Sequence, residues 1–200
     1  MSKNWSLFCV VIFAFGFGLK SYWDTQASQQ KTIPEAASTA DTQHPLMADL
    51  FDPRDSRIRI VYFGFTRCPD VCPTSLAMLG AALNQLSESA LQQLRPIFIS
   101  LDPQRDTPQA TEIYAAYFHP QIEGLALPFA QTQRLTDRYG VIVQKTDLPN
   151  SELNYTLDHS SYFYFLKPDG TLLTQVPHTN TPTPIITAIE ALITQKGRSR

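Results

Sequence analysis

Two thiols stand four residues apart in Cys68-Pro69-Asp70-Val71-Cys72-Pro73, directly after the apolar run of residues 60–65. The run reads as a strand, and Pro73 suits the first turn of a helix, where its missing N–H costs nothing. The pair therefore sits where a strand turns into a helix. The positive end of a helix favours the thiolate, which is both the nucleophile of disulfide chemistry and the ligand of soft metals. Three chemistries fit such a pair: a reversible disulfide, a soft-metal site, or a plain structural disulfide. Structural zinc wants four ligands, and the chain has no second Cys pair.

The chain has 200 residues, 43% of them hydrophobic, which is enough for one domain with a real core. Its net charge of −2 leaves no basic footprint for nucleic acid, and no glycine-rich phosphate loop occurs. The third cysteine, Cys9, lies in an apolar leader and reads as a small apolar residue. Cys68 and Cys72 are too few to staple a small fold, so they read as a reactive site.

Residues 5–19 are almost wholly apolar, with Lys3 before them and Lys20, Tyr22 and Trp23 after. A membrane span needs about 20 such residues, so the run is short; a secretion signal is the competing reading. No small-x-small cleavage site follows Leu19, and Tyr22 and Trp23 resemble an interfacial belt. Residues 1–23 are read as a single-span anchor or uncleaved signal with the domain outside. Residues 24–45, rich in Gln, Thr, Ser and Ala, are read as a flexible linker, and residues 46–200 as one domain.

Within that domain, residues 57–65 predict a central strand covered on both faces. Leu76, Leu79, Ala82, Leu83 and Leu86 predict a helix over 74–89. Residues 97–101 form the next strand, and Asp106 or Thr107 can cap a helix opened by Pro108 that ends before Pro120. A short helix over 132–139 closes at Gly140, a short strand follows at 141–143, and 161–166 is a strong strand. Pro168-Asp169-Gly170 turns it back into 171–176, and a helix over 183–195 ends the chain. The order is β-α-β-α, a short helix and strand, a hairpin and a helix. It predicts an α/β fold, a thioredoxin-like sandwich, preceded by the single N-terminal transmembrane helix.

Residues 61–74 (VYFGFTRCPDVCPT), 100–108 (SLDPQRDTP) and 158–161 (DHSS) together resemble the Sco (SenC) family of copper chaperones, in the family's order and near its separations. The resemblance covers roughly residues 57–193. It implies a thioredoxin-like domain tethered to a membrane and facing the periplasm or the mitochondrial intermembrane space. It implies copper ligated by Cys68, Cys72 and His159, one ion per chain, as Cu(I) and also as Cu(II). The implied task is delivery to the dinuclear copper centre of cytochrome c oxidase, with an upstream copper donor and a thiol reductant as further partners. Two thiolates and an imidazole are a soft, low-coordination set that suits copper better than a hard cation. Cys68 and Cys72 can also close into a redox-active disulfide, so metal loading requires their reduction. A thiol–disulfide oxidoreductase keeping the oxidase cysteines reduced is the alternative to a non-enzymatic metallochaperone. With no Arg/Ser-rich presequence, the bacterial inner membrane is preferred to the mitochondrial one.

His159 is expected in a loop just before the strong strand. Asp102, at the carboxyl end of a strand, is a candidate to orient His159 or a cysteine, or else merely to cap its turn with Asp106. Arg105 is expected to pair with a carboxylate, Asp70 to be exposed, Met78 to be core, and His44, His119 and His178 to be solvated. Two stretches depart from the family: residues 46–57 carry no Gly-rich hairpin, and residues 122–131 lack the aromatic-rich pattern.

Overall fold

The computed structural model describes residues 45–198; the apolar leader, nearly all of the linker and His44 lie outside the described residues. Among the described residues no helix is long and apolar enough to cross a membrane.

In chain order the elements are α1 (Pro45–Leu50), β1 (Ile58–Gly64), α2 (Val71–Leu83), α3 (Glu88–Leu91), β2 (Leu94–Ser100) and α4 (Pro108–Phe118). Then come β3 (Glu123–Leu125), α5 (Phe129–Tyr139), β4 (Val143–Leu148), β5 (Asn154–His159), β6 (Tyr162–Leu166), β7 (Leu172–Pro177) and α6 (Thr183–Arg198). The main sheet runs β3-β2-β1-β6-β7, parallel through β3, β2 and β1 and antiparallel from β1 to β6 to β7. This is the expected α/β, thioredoxin-like arrangement.

Every residue of β1 is buried because both faces of the sheet are covered. Ile58, Ile60 and Tyr62 join Phe98, Phe163 and Phe165 under α2 and α6. Val61 and Phe63 face the other way, to Ile99, Tyr164, Leu135 of α5 and the α1 residues Met47 and Leu50. Residues 45–50 thus form a helix that plugs the second core.

That segment is also tied to the sheet by two buried arginines. Arg59, fully buried in β1, donates to the carbonyls of Leu50, Asp52, Asp55 and Arg57. Arg95 of β2 pairs with Glu123 and Asp49 and also donates to the Asp49 carbonyl. Each charge is matched by several acceptors, the condition on which a buried cation is tolerable.

The structure corrects several boundaries. The helix predicted over 74–89 begins at Val71 and ends at Leu83; Ser87 then caps the separate turn α3, its hydroxyl accepting from the Ala90 N–H. β2 starts at Leu94, three residues early, and β3 was not expected. α5 begins at Phe129, three residues early, and α6 runs on to Arg198. Thr107 caps α4, and Gly140 closes α5 in the left-handed conformation, as expected. The strand predicted at 141–143 runs instead from Val143 to Leu148 and pairs with β5 as a second, two-stranded sheet.

Candidate metal centre

Cys68 and Cys72 both approach His159 at the carboxyl end of β1. Val71 is the first residue of α2, so Cys72 lies in its first turn, and its N–H points back at Cys68 Sγ at 3.4 Å. Cys68 is half-buried, Cys72 fully buried, and both are free thiols. The Cys72 sulfur rests on β1 at Gly64, where an added Cβ would lie 2.8 Å from it and 2.9 Å from Phe98. Only glycine admits so close an approach.

His159 arrives from 87 residues downstream, with Nε2 3.4 Å from Cys72 Sγ. It is the last residue of β5, opposite Val143, rather than part of a loop. Its Nδ1 lies 3.0 Å from the Ser160 carbonyl, which can only accept, so Nδ1 carries the proton and Nε2 is turned to the sulfur. The ring stands edge-on to Tyr62 and Phe65. A backbone carbonyl holding the far nitrogen is the usual way a ligating imidazole is aimed.

The two sulfurs are unequal. The Cys72 thiol donates to Cys68, with His159 and the N–H groups of Asp70 and Cys72 assisting; together they hold Cys68 down to about 4 against the opposing effect of burial. Cys72 is pushed far up, first by that same hydrogen bond, then by burial and by the charge on Cys68. The hydrogen bond thus favours the thiolate at Cys68 and the thiol at Cys72.

Asp102 does not meet His159 or a cysteine. Its Oδ1 accepts from the Tyr155 hydroxyl at 2.8 Å, and its Oδ2 pairs with Arg105. Arg105 in turn donates to the Leu153 and Tyr155 carbonyls and lies over the Tyr155 ring. Asp102 therefore anchors the beginning of β5, and touches the strand that carries His159 four residues before the imidazole. Asp106 does more than cap a turn: it accepts from Thr66 N–H at 2.9 Å, Thr66 hydroxyl at 2.5 Å and Ser100 hydroxyl at 2.6 Å. That carboxylate fixes the loop two residues ahead of Cys68.

Asp70 is exposed and Met78 is packed against the core, as expected. His178 is not simply solvated: its Nδ1 lies 2.8 Å from Ser75 Oγ, one helical turn past Cys72. His119 accepts the Gln121 N–H. No spacing signal in the chain announced Gly64, Ser75, Asp106 or Ser160, because each acts through a contact made only in the fold.

Among the described residues no group of three His, Cys, Asp or Glu is arranged as a ready-made metal site; Cys72 instead contacts His159 through its sulfur and Cys68 through its N–H. Cys72 Sγ and His159 Nε2, 3.4 Å apart, lie close enough to be held by one shared ion. The donor set, two sulfurs and an aimed imidazole, fits a soft ion.

Residues 50–194 match the SCO1/SenC family. A SCO2-like protein of Rickettsia conorii is 38% identical over 122 residues, 61% of this chain and 59% of that protein. The mitochondrial protein SCO1 of Saccharomyces cerevisiae is 31% identical over 169 residues, 78% of this chain and 57% of its own length. The chain thus spans under two thirds of the length of these curated relatives. Among solved structures, copper-bound ScoI of Arabidopsis thaliana superimposes with a TM-score of 0.65 at 30% identity, covering 74% of this chain and 88% of that one. The fold, the motifs and this match agree: the chain belongs to the SCO1/SenC family.

Proposed function

We propose that this chain is a copper chaperone, binding one ion through Cys68, Cys72 and His159 and passing it to the dinuclear copper centre of cytochrome c oxidase during assembly. The observation that carries the reading is the 3.4 Å approach of His159 Nε2 to Cys72 Sγ from a remote strand. The imidazole adds a third soft donor to the two sulfurs, which a copper site needs and disulfide exchange does not require. The copper held by the Arabidopsis relative supports the same choice of metal. The apolar leader supports a place on the outer face of a bacterial inner membrane; the mitochondrial naming of the yeast relative keeps the mitochondrial inner membrane as the alternative.

The chemistry follows from the two sulfurs. Cys68, half-exposed and ionised, is the first to meet incoming copper. Cys72 gives up its proton as it joins, and His159 completes a three-ligand set open to an acceptor's ligands. Copper supplies a soft cation that exchanges between thiolates. Oxidation of the pair removes both sulfur donors, so loading requires an upstream reductant as well as a copper donor.

One observation favours a second reading. A half-exposed thiolate beside a buried thiol is the arrangement of an attacking and a resolving sulfur. As a thiol–disulfide oxidoreductase, the chain would pass two electrons and the Cys72 proton to a partner disulfide, the second proton of the reduced partner coming from solvent, and end with Cys68 joined to Cys72.

The experiment mixes the reduced, Cu(I)-loaded chain anaerobically with the metal-free, reduced copper-bearing domain of an oxidase subunit. Copper moving to the acceptor is expected. Copper that stays put, with an oxidised acceptor nonetheless reduced by the copper-free chain, overturns delivery in favour of the second reading.

A further inference from the structure

Tyr62 lies toward the carboxyl end of β1, fully buried on the face that carries Cys72. Its ring packs on Phe163 at 5.1 Å. Both its Cε1 edge and Cys72 Sγ fill the space above Gly64, 3.2 Å and 2.8 Å from where a Cβ would stand. Its hydroxyl nevertheless has no hydrogen-bond partner of ordinary geometry. The polar groups facing it are the Ser75 and Ser161 hydroxyls and the Cys72 sulfur. Each serine also has another partner, Ser75 Oγ lying 2.8 Å from His178 Nδ1 and Ser161 Oγ donating to the His159 carbonyl at 3.5 Å.

A buried hydroxyl without a partner is costly, and in a native protein it calls for an explanation. The Cys72 sulfur supplies one. As a neutral thiol it is a poor acceptor; as a metal-bound thiolate it carries charge and accepts well. We propose that Tyr62 is a positioning residue for copper, its hydroxyl donating to the Cys72 sulfur once that sulfur binds the ion. The inference rests on the copper reading of the site. The bond lowers the energy of the sulfur lone pairs and holds the ligand in place, as hydrogen bonds to cysteine sulfur do at other metal centres. The phenol needs only a small shift, because sulfur and ring edge already share the gap over Gly64.

The test is Tyr62→Phe in the full-length reduced protein, which removes the hydroxyl and keeps the ring. Cu(I) affinity is read by competition with a chromophoric chelator, alongside the ultraviolet thiolate-to-copper absorption and the unfolding temperature without metal. The expected result is copper binding weakened about tenfold, absorption moved to longer wavelength, and metal-free stability unchanged or raised. An equal affinity and an unmoved band overturn the inference, as does a loss of metal-free stability that parallels the loss of affinity. A wild-type chain that takes up no copper overturns the copper reading itself; wild-type binding with an indifferent Phe variant overturns this inference alone.

Discussion

β1 carries a buried polar group toward each of its ends, and the two are treated oppositely. At the amino end the Arg59 guanidinium donates to four carbonyls and lies 3.5 Å from an Asp55 oxygen. At the carboxyl end the Tyr62 hydroxyl is unpartnered, and Cys68 and Cys72 share one proton. The first region is saturated and has no capacity left for a ligand; the second holds donor atoms in contact but unsatisfied. Saturated polar groups stabilise and specify a fold, whereas under-satisfied ones mark where a ligand completes the structure.

The contrast is broken most severely at the amino end. Arg59→Ala strands the carbonyls that anchor residues 50–57, and we expect a loss of about 3–5 kcal/mol in denaturant unfolding. A loss under 1 kcal/mol contradicts the assignment of this region as the structural one. Gly64→Ala should cost less, roughly 1–3 kcal/mol. It should nonetheless weaken copper binding more than its stability loss suggests, because the new methyl group displaces Cys72 Sγ directly.

The inequality of the thiols sharpens the comparison further. In metal-free protein Cys68 should alkylate well ahead of Cys72, and mass mapping of partly labelled chains checks the order. The Cys68 rate should hold as pH falls and decline only near its depressed value of about 4; an ordinary decline starting near pH 9 contradicts the hydrogen bond from Cys72. The smallest effect belongs to Asp55, held at about 2 chiefly by its hydrogen bond from Arg57. A carboxylate depressed in the fold contributes stability above its unfolded value near 4 and loses it as pH falls toward 2. Acid unfolding of Asp55→Asn should therefore be less steep over that window.

Much of this was legible in the sequence, for physical reasons that differ by element. β1 and β6 declare themselves because a strand covered on both faces is a near-continuous apolar run, broken in β1 by Arg59, and the turn by its Pro-Asp-Gly. β4 and β5 do not, since they form a two-stranded hairpin with no fully buried residue and polar residues on both faces. That is why His159 looked like a loop residue when it ends a strand. α2 begins at Val71, ahead of the apolar stripe that starts at Leu76, and Pro73 occupies its third position, within the first turn as expected. The cysteines were visible by spacing and His159 by its motif. Asp106 holding Thr66, Ser160 orienting His159 and Tyr62 facing Cys72 leave no periodic trace, and Asp102 turned out to hold Tyr155 and Arg105 instead of the imidazole.

The central claim, that three side chains form one copper site, is tested most directly by Cu(I) affinity and stoichiometry of the reduced wild-type and His159→Ala proteins. The prediction is one tightly held ion per wild-type chain and an affinity lower by on the order of a hundredfold or more in the variant, since losing a ligand should exceed the 10–100-fold seen for losing a ligand's support. Equal affinity in the two proteins would contradict it.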